Sequence, residues 1–194
     1  MTDHIRGLVG AGKRSELNRN VLERLGEFKH IAGWMDEGVS RSYYDRMLAD
    51  VPFAKKRWNV LYVLPQKAYN YELDARQSRP IPVLEEIIAK VGTEFPELEV
   101  TEVWCNLLCD PSHHLDWHQD QYGEHLFVLS FGAPRRIEYR DHKTKADAVA
   151  FEACSGDLYY MHPAFDKRHD HRVLKSDAGD RISLAMFATV SDTT

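Results

Sequence analysis

His118 and Asp120 stand two residues apart in the run Trp117-His118-Gln119-Asp120. On an extended backbone residues i and i+2 project from the same face, so an imidazole and a carboxylate would enter one space. A second imidazole from a distant strand would complete a facial set of two His and one carboxylate, which leaves adjacent positions open on ferrous iron for oxygen chemistry. His171, about fifty residues downstream in His169-Asp170-His171-Arg172-Val173, is the expected third ligand, and His169, on the same strand face, is the alternative. His162, followed by Pro163, reads as a turn or supporting residue. Eight of the ten histidines fall within residues 113–171, and the chemistry is expected there.

Arg181 follows His171 by ten residues. A cosubstrate that chelates a metal through a keto acid needs its far carboxylate held, and a guanidinium does this bidentately. Ser183 places a hydroxyl on the same strand face. Two other patterns lead elsewhere. Cys105, Cys109 and His113 have a zinc-like spacing, but the stretch between the two cysteines reads as strand and only Cys154 remains, so structural zinc is not expected. Three cysteines also make no disulfide framework, and free thiols in a reducing compartment are expected. The glycines and lysine of Gly7 to Lys13 match a phosphate-binding loop. Arg14 occupies its Ser/Thr position, however, and six residues are too few to supply the preceding strand, so a flexible arm is expected.

The elements that must position these residues begin helical. Ser15 is a candidate N-cap for a helix with Leu17, Val21, Leu22 and Leu25 on one face and Gly26 as its stop. A second helix is expected over Asp36–Ala49, with Val39, Tyr43, Met47 and Tyr44 as its apolar stripe and Pro52 beyond its end. A strand follows at Trp58–Leu64. Leu64–Pro82 reads as an irregular or hairpin segment covering the mouth of the fold, before a helix from Pro82 carrying Leu84, Ile87, Ile88 and Val91. Strands are then expected at Val100–Leu108, Leu115–His118, Leu126–Ser130, Arg136–Arg140, Ala148–Glu152, Asp157–Met161, His171–Leu174 and Arg181–Ala188. Eight short strands with flanking helices predict a mainly β jelly roll or sandwich, the helices packing on one outer sheet face.

With 194 residues, 43% hydrophobic and 28% charged, the composition is that of one soluble globule. A single catalytic domain is expected over 1–194: a flexible arm at 1–14, helical support at 15–57, a lid segment and helix at 58–99, and the jelly-roll core at 100–190. No run approaches ~18 apolar residues, so no membrane partner is expected. No apolar leader opens the sequence, and an intracellular monomer, cytoplasmic or nuclear, is expected. The net charge of −5 divides into +3 over residues 1–60 and −8 over 61–194, so bulk charge does not announce a polyanion partner. Contact with one would rest on local stretches: Lys55-Lys56-Arg57, then Arg135-Arg136 with Arg140, Lys143 and Lys145, then Lys167-Arg168 with Arg172.

The chain resembles the iron(II)/2-oxoglutarate oxygenases, and within them the AlkB-type nucleic-acid dealkylases, over roughly Phe28 to Phe187. The resemblance rests on Trp117-His118-Gln119-Asp120, on the strand pair Val128 to Arg140, on Gly156-Asp157-Leu158-Tyr159-Tyr160-Met161-His162-Pro163, and on Arg181 to Phe187. It implies a double-stranded β-helix with Fe(II) on His118, Asp120 and His171. It also implies 2-oxoglutarate held by Arg181 and Asn106, with Ser183 where the family often has Asn. The Gly156-to-His171 spacing resembles the branch acting on duplex DNA and favours His171 over His169. Leu108 replaces a tyrosine that contacts the cosubstrate, Met186 or Phe187 falls where a second arginine is expected, and Tyr122 stands where nucleic-acid members place an acid.

The reaction implied is demethylation of N-alkylated bases in DNA or RNA, consuming O2 and releasing formaldehyde, succinate and CO2. An extruded base would need flat side chains, for which Trp58, Tyr62, Tyr69, Tyr71 and Trp117 are candidates, with core packing as their competing role. Arg135, Arg136 and Arg140 are the candidates for phosphate, and Tyr122 would stand near the base. The alternative is the same iron chemistry on a small metabolite or a protein side chain, which the net acidity, Tyr122 and the missing second arginine favour. A non-catalytic jelly-roll binding module is the second alternative, against which the intact His118, Asp120, His171 and Arg181 set argues.

Overall fold

The computed structural model describes residue 16 and residues 18–57, 63–72, 77–120 and 124–191. The glycine-rich arm, Ser15, Trp58, Tyr62 and Tyr122 lie outside the described residues. A first helix, α1 (residues 18–25), ends where the Gly26 N–H reaches the Leu22 carbonyl at φ +70°. The short strand β1 (Phe28–Ile31) leads to α2 (Glu37–Asp50), which is capped by the Asp36 carboxylate accepting from the Val39 N–H. Its expected stripe is only partly right. Met47 and Ser40 are buried and Tyr43 and Tyr44 half-buried, but Val39 is 39% exposed, because the buried face is rotated toward Ser40. Pro82 opens α3 (Pro82–Glu94), where its missing N–H leaves no orphan donor, and Val83, Leu84, Ile87 and Val91 are buried.

Two antiparallel sheets hold the remaining chain. The larger has the order β1-β9-β6-β11-β4-β3-β2, with β2 (Ala54–Arg57), β3 (Val63–Glu72), β4 (Leu98–Leu108), β6 (His125–Gly132), β9 (Leu158–Met161) and β11 (Arg181–Val190). The smaller has the order β5-β10-β7-β8, with β5 (Leu115–His118), β7 (Arg135–Asp141), β8 (Asp147–Ala153) and β10 (His169–Val173). A one-turn helix, α4 (Pro163–Asp166), joins β9 to β10. This is the double-sheet jelly roll with flanking helices that the strand pattern predicts.

Each strand's alternation sorts its side chains between two cores. Outward-facing residues such as Val103, Cys105, Phe127, Leu129, Leu184 and Met186 pack under the helices with Met47, Leu84 and Ile87. Inward-facing residues such as Leu126, Val128, Tyr159 and Phe187 meet Ile137, Tyr139 and Val173 of the smaller sheet. β6 is covered on both sides, which explains its unbroken apolar run.

Three strands exceed the sequence expectation. Residues 63–72 are not an irregular cover but a ten-residue strand, β3, paired with both β4 and β2. Its mixture of Gln, Lys, Asn and Tyr lacks the apolar alternation by which a strand is read. β1 is only four residues long and pairs with β9. The turn at Gly156, φ +86°, anchors the same region, since a Cβ there would lie 2.3 Å from the Met35 carbonyl oxygen. The Asp157 carboxylate then accepts from the Gly33 and Cys154 N–H groups and pairs with His30.

Candidate metal centre

The strand register brings the two distant histidines together. β5 and β10 pair antiparallel with His118 directly opposite His171. Facing positions of this kind place side chains within contact distance on one sheet face, and the two imidazole centroids are 4.1 Å apart. Asp120 lies two residues beyond β5, with carboxylate oxygens 3.9 Å from His118 Nε2 and 3.4 Å from His171 Nε2. One ligand atom from each of the three falls within 4.8 Å of the others. His118 Nδ1–H donates to the Asp116 carbonyl at 2.6 Å, which fixes the tautomer and turns Nε2 toward Asp120.

The segment after β5 is tied to α4. Gln119 Nε2 donates to the carbonyls of Asp166 and Lys167, and the Asp120 N–H donates to Asp166 Oδ1 at 3.3 Å. Burial, and then the Asp120 carboxylate beside it, push the Asp166 carboxyl up to about 7. Burial also raises Asp120 itself, opposed by His118, while burial and then His118 hold His171 well below its usual value. Two imidazoles and a desolvated carboxylate around one point are a donor set that a divalent cation would stabilise.

His169 does not join the set. Its Nδ1–H donates to the Phe165 carbonyl and its ring stacks on Phe165, centroids 4.0 Å apart. His162 caps α4 by accepting from the Ala164 N–H, a supporting role as its position before Pro163 suggests. The three cysteines are free, and His113 accepts from the Cys109 N–H, so neither Cys109 nor His113 belongs to a metal cluster among the described residues.

The triad opens into a cavity of ≈ 710 Å³ between the sheets. Asn106 and Ser183, direct partners on β4 and β11, line one wall with Val128 and Tyr159. Arg181 lies two residues from Ser183 at the buried end of the same strand, fully enclosed, with Nε donating to Ser130 Oγ at 3.0 Å. Among the described residues its Nη1 and Nη2 meet no acceptor at hydrogen-bond geometry; the nearby Tyr159 hydroxyl has its pKa raised by burial, an effect the Arg181 charge opposes. Two buried donors without an acceptor are costly unless an anion completes them, so the residues fit a carboxylate-bearing cosubstrate.

The expected base-stacking and phosphate residues are placed differently. Tyr71 is fully buried under α3, where its hydroxyl accepts from the Ile81 N–H and donates to Glu85. Tyr69 packs beside it, and neither tyrosine lines the cavity, because odd-numbered residues of β3 face the helices. Trp117 does line the cavity, but the guanidinium groups of Arg140 and Arg172 already lie 4.0 and 4.4 Å from its ring centroid. Arg140 pairs with Asp170 and Arg136 with Glu138. Arg135 is 1% exposed and donates to the Gly179 carbonyl; burial, and then the Arg181 charge, lower its pKa. A surface phosphate contact by Arg135 is thereby excluded, since the inward parity of β7 buries it. Leu108 is buried in the inner core and Phe187 forms part of the cavity wall.

Gln66, Trp104 and Tyr159 line the cavity although sequence reasoning passed over them. Gln66 and Trp104 were legible only once β3 and β4 were known to pair, with even-numbered residues inward.

No family model matches the chain and no curated protein matches it. No described helix is long and apolar enough to cross a membrane. Among solved structures, the fold is similar to that of a prolyl-4-hydroxylase from Pseudomonas putida, with a TM-score of 0.62 over 90% of this chain and 99% of that one, at 12% identity. At that identity the likeness is one of fold: this chain has a double-stranded β-helix, and the narrower expectation of the nucleic-acid dealkylase branch gains no support from it.

Proposed function

We propose that the chain is an Fe(II)- and 2-oxoglutarate-dependent hydroxylase acting on a protein side chain or a small molecule. The observation that carries this reading is one cavity with the His118, Asp120 and His171 donors converging on it and the unpaired guanidinium of Arg181 buried behind Ser183 in its wall. His118, Asp120 and His171 would hold the metal. Arg181 would take the far carboxylate of 2-oxoglutarate, with Ser183 and Asn106 beside it. When bound, iron supplies the oxidising chemistry, placing one oxygen atom of O2 in a substrate C–H bond while 2-oxoglutarate becomes succinate and CO2.

The chain's own residues set the conditions. The His118 hydrogen bond to Asp116 holds an imidazole lone pair ready for the metal, and the Gln119 and Asp166 contacts hold the Asp120 segment. Leu115, Val128, Val173, Ala185 and Phe187 make the walls apolar, which excludes water from the reacting carbon. The neighbour's title names a prolyl-4-hydroxylase, and the placement of Tyr69, Tyr71, Arg135, Arg136 and Arg140 offers an extruded base neither a stack nor free phosphate contacts, so a substrate other than nucleic acid is favoured.

Succinate release with Fe(II) and 2-oxoglutarate, across peptides, free amino acids and methylated DNA and RNA oligonucleotides, tests this. The expected result is basal succinate that rises with a peptide or small molecule and ignores every oligonucleotide. Stimulation by an oligonucleotide alone would overturn the substrate class, and the absence of both metal binding and succinate would overturn the oxygenase.

A further inference from the structure

Among the described residues Gln66 is the one side chain of β3 that lines the cavity, and it is 1% exposed. The strand registers set what it meets. Ala68 stands directly opposite Asn106, and Asn106 opposite Ser183. Gln66 falls opposite Leu108, one step beyond the paired Lys67 and Leu107, in the row that continues to Arg181. The direct neighbour of Asn106 on β3 is therefore a methyl group without hydrogen-bonding capacity, and the amide that reaches it comes from Gln66 on the diagonal. Diagonal neighbours on one sheet face are about 7–8 Å apart, within reach of a long side chain. Gln66 Nε2 donates to Asn106 Oδ1 at 3.1 Å, and Gln66 Oε1 is left buried without a partner.

Two primary amides can share one hydrogen bond in two ways, and the two leave opposite groups of Asn106 to the cavity. Were the Asn106 NH2 group the donor, its Oδ1 would be left as an acceptor facing an anionic cosubstrate. With Gln66 donating, Oδ1 is taken, and the Asn106 NH2 group, which meets no acceptor among the described residues, is left for the cavity that Asn106 lines. It then stands beside the Ser183 hydroxyl, with the Arg181 guanidinium one row beyond, and all three can donate to carboxylate or keto oxygens. The stranded Gln66 Oε1 is unfavourable, and a leucine would fill the same space without it, so what the amide contributes is its Nε2 donor. We propose that Gln66 is a positioning residue for the cosubstrate: by holding Asn106 Oδ1 it keeps the Asn106 NH2 group turned toward 2-oxoglutarate. The proposal rests on the hydroxylase reading and gives β3 a part in cosubstrate affinity.

The test is a double-mutant cycle read by calorimetric titration of 2-oxoglutarate into the full chain loaded anaerobically with Fe(II). Gln66→Leu should weaken 2-oxoglutarate about fivefold or more, and Asn106→Ala about tenfold or more. The double variant should bind within about twofold of Asn106→Ala, because Gln66 then has nothing left to hold. Fe(II) affinity should be the same in Gln66→Leu as in the wild type. In turnover the KM for 2-oxoglutarate should rise while kcat at saturation stays within about twofold, a split that general loosening of the fold would not give. Three results overturn the proposal: Gln66→Leu binding 2-oxoglutarate as tightly as the wild type, the two effects multiplying in the double variant, or a fall in kcat with KM unchanged. If Gln66→Leu does not fold, Gln66→Met, closer to glutamine in shape, takes its place in the cycle. Failure of the hydroxylase reading looks different. A wild type that binds Fe(II) but not 2-oxoglutarate sinks the cosubstrate site and the part of Gln66 in it together, whereas wild-type binding and succinate release with an unchanged Gln66→Leu sinks the positioning alone.

Discussion

The two sides of the cavity wall, β11 and β3, are built from opposite halves of hydrogen-bond chemistry. On β11 the unsatisfied groups are donors, Arg181 Nη1 and Nη2, enclosed completely. On β3 they are acceptors, Gln66 Oε1 in the same cross-strand row as Arg181 and Asn70 Oδ1 four residues along the strand. Asn106 belongs to both, sitting opposite Ser183 in the sheet and accepting from Gln66. Neither end is a defect of packing, because the sheet between them has its backbone ladders paired on both sides of β11. The contrast teaches that one sheet face carries unsatisfied groups of both kinds, donors on β11 and acceptors on β3, with Asn106 on β4 between them.

The largest expected effect comes from removing that centre. His171→Ala and Asp120→Asn should each lower succinate release by on the order of a hundredfold or more, and each should weaken metal binding measured by calorimetry. His169→Ala should lower it less than about tenfold, since that ring is spent on Phe165. The reverse ranking would move the metal off His171 and break the comparison at its middle.

Arg181→Met tests the donor side. Losing a bidentate charge-assisted contact should raise the KM for 2-oxoglutarate by about 30-fold or more, and Arg181→Lys should recover only part, because an ammonium keeps the charge without the fork. Stability should move the other way. Without 2-oxoglutarate the wild type buries two unpaired NH2 groups of the guanidinium at a cost of roughly 1–3 kcal/mol each, so Arg181→Met should melt at or above the wild-type temperature. Added 2-oxoglutarate should raise the melting temperature of the wild type and leave that of the variant unchanged. A clear fall in the melting temperature of unliganded Arg181→Met would show the guanidinium to be structural rather than waiting for an anion.

How much of this was legible in the sequence differs between the same two sides. The triad histidines and Arg181 sit on β5, β10 and β11, strands set off by turns, and their boundaries are read to within two residues. The Gln66 side sits on β3, where polar and aromatic residues mix on both faces. Residues from Leu64 onward read as an irregular or hairpin cover, with Tyr69 and Tyr71 open to stacking or to core packing, and the structure packs both against the helix side of the sheet. A period of two is readable only when one face is apolar. The basic stretch at Arg135–Lys145 was legible as charge, but composition does not reveal that Glu138 and Asp170 neutralise it from within the same sheet.

pH sets the window in which the two sides can be compared. His125 is buried away from the triad, with Nδ1 accepting from the Tyr160 hydroxyl and Nε2–H donating to Asn18. Burial, and then His162, lower its pKa from 6.5 to about 4. The unfolded chain takes up this proton near pH 6.5 while the folded chain refuses it until about pH 4. The stabilisation is therefore complete above 6.5 and is lost as pH falls through that interval, by about 3 kcal/mol in all. The raised Asp166 carboxyl works the other way over the same interval, so the readout is a difference: in urea melts from pH 7.5 to 4.5, His125→Asn should lose less stability than the wild type as pH falls. A variant whose profile runs parallel to that of the wild type would place the ring in water.

The smallest effect distinguishes the two faces of β3. Tyr71→Phe keeps the ring and removes a hydroxyl that joins the Ile81 N–H to Glu85 at the start of α3. The amide it leaves behind is buried, so about 1–2 kcal/mol of stability should go, visible as a lower urea midpoint with an unchanged slope. Because that hydroxyl points away from the cavity, the KM for 2-oxoglutarate should stay within about twofold of wild type. Gln66→Leu, one strand face over, should do the opposite: little change in the midpoint, since an unpaired buried oxygen is lost with it, and a raised KM for 2-oxoglutarate, since its amide orients Asn106 on the cavity wall. If Tyr71→Phe instead raised that KM while leaving the midpoint alone, β3 would present its tyrosines to the cavity.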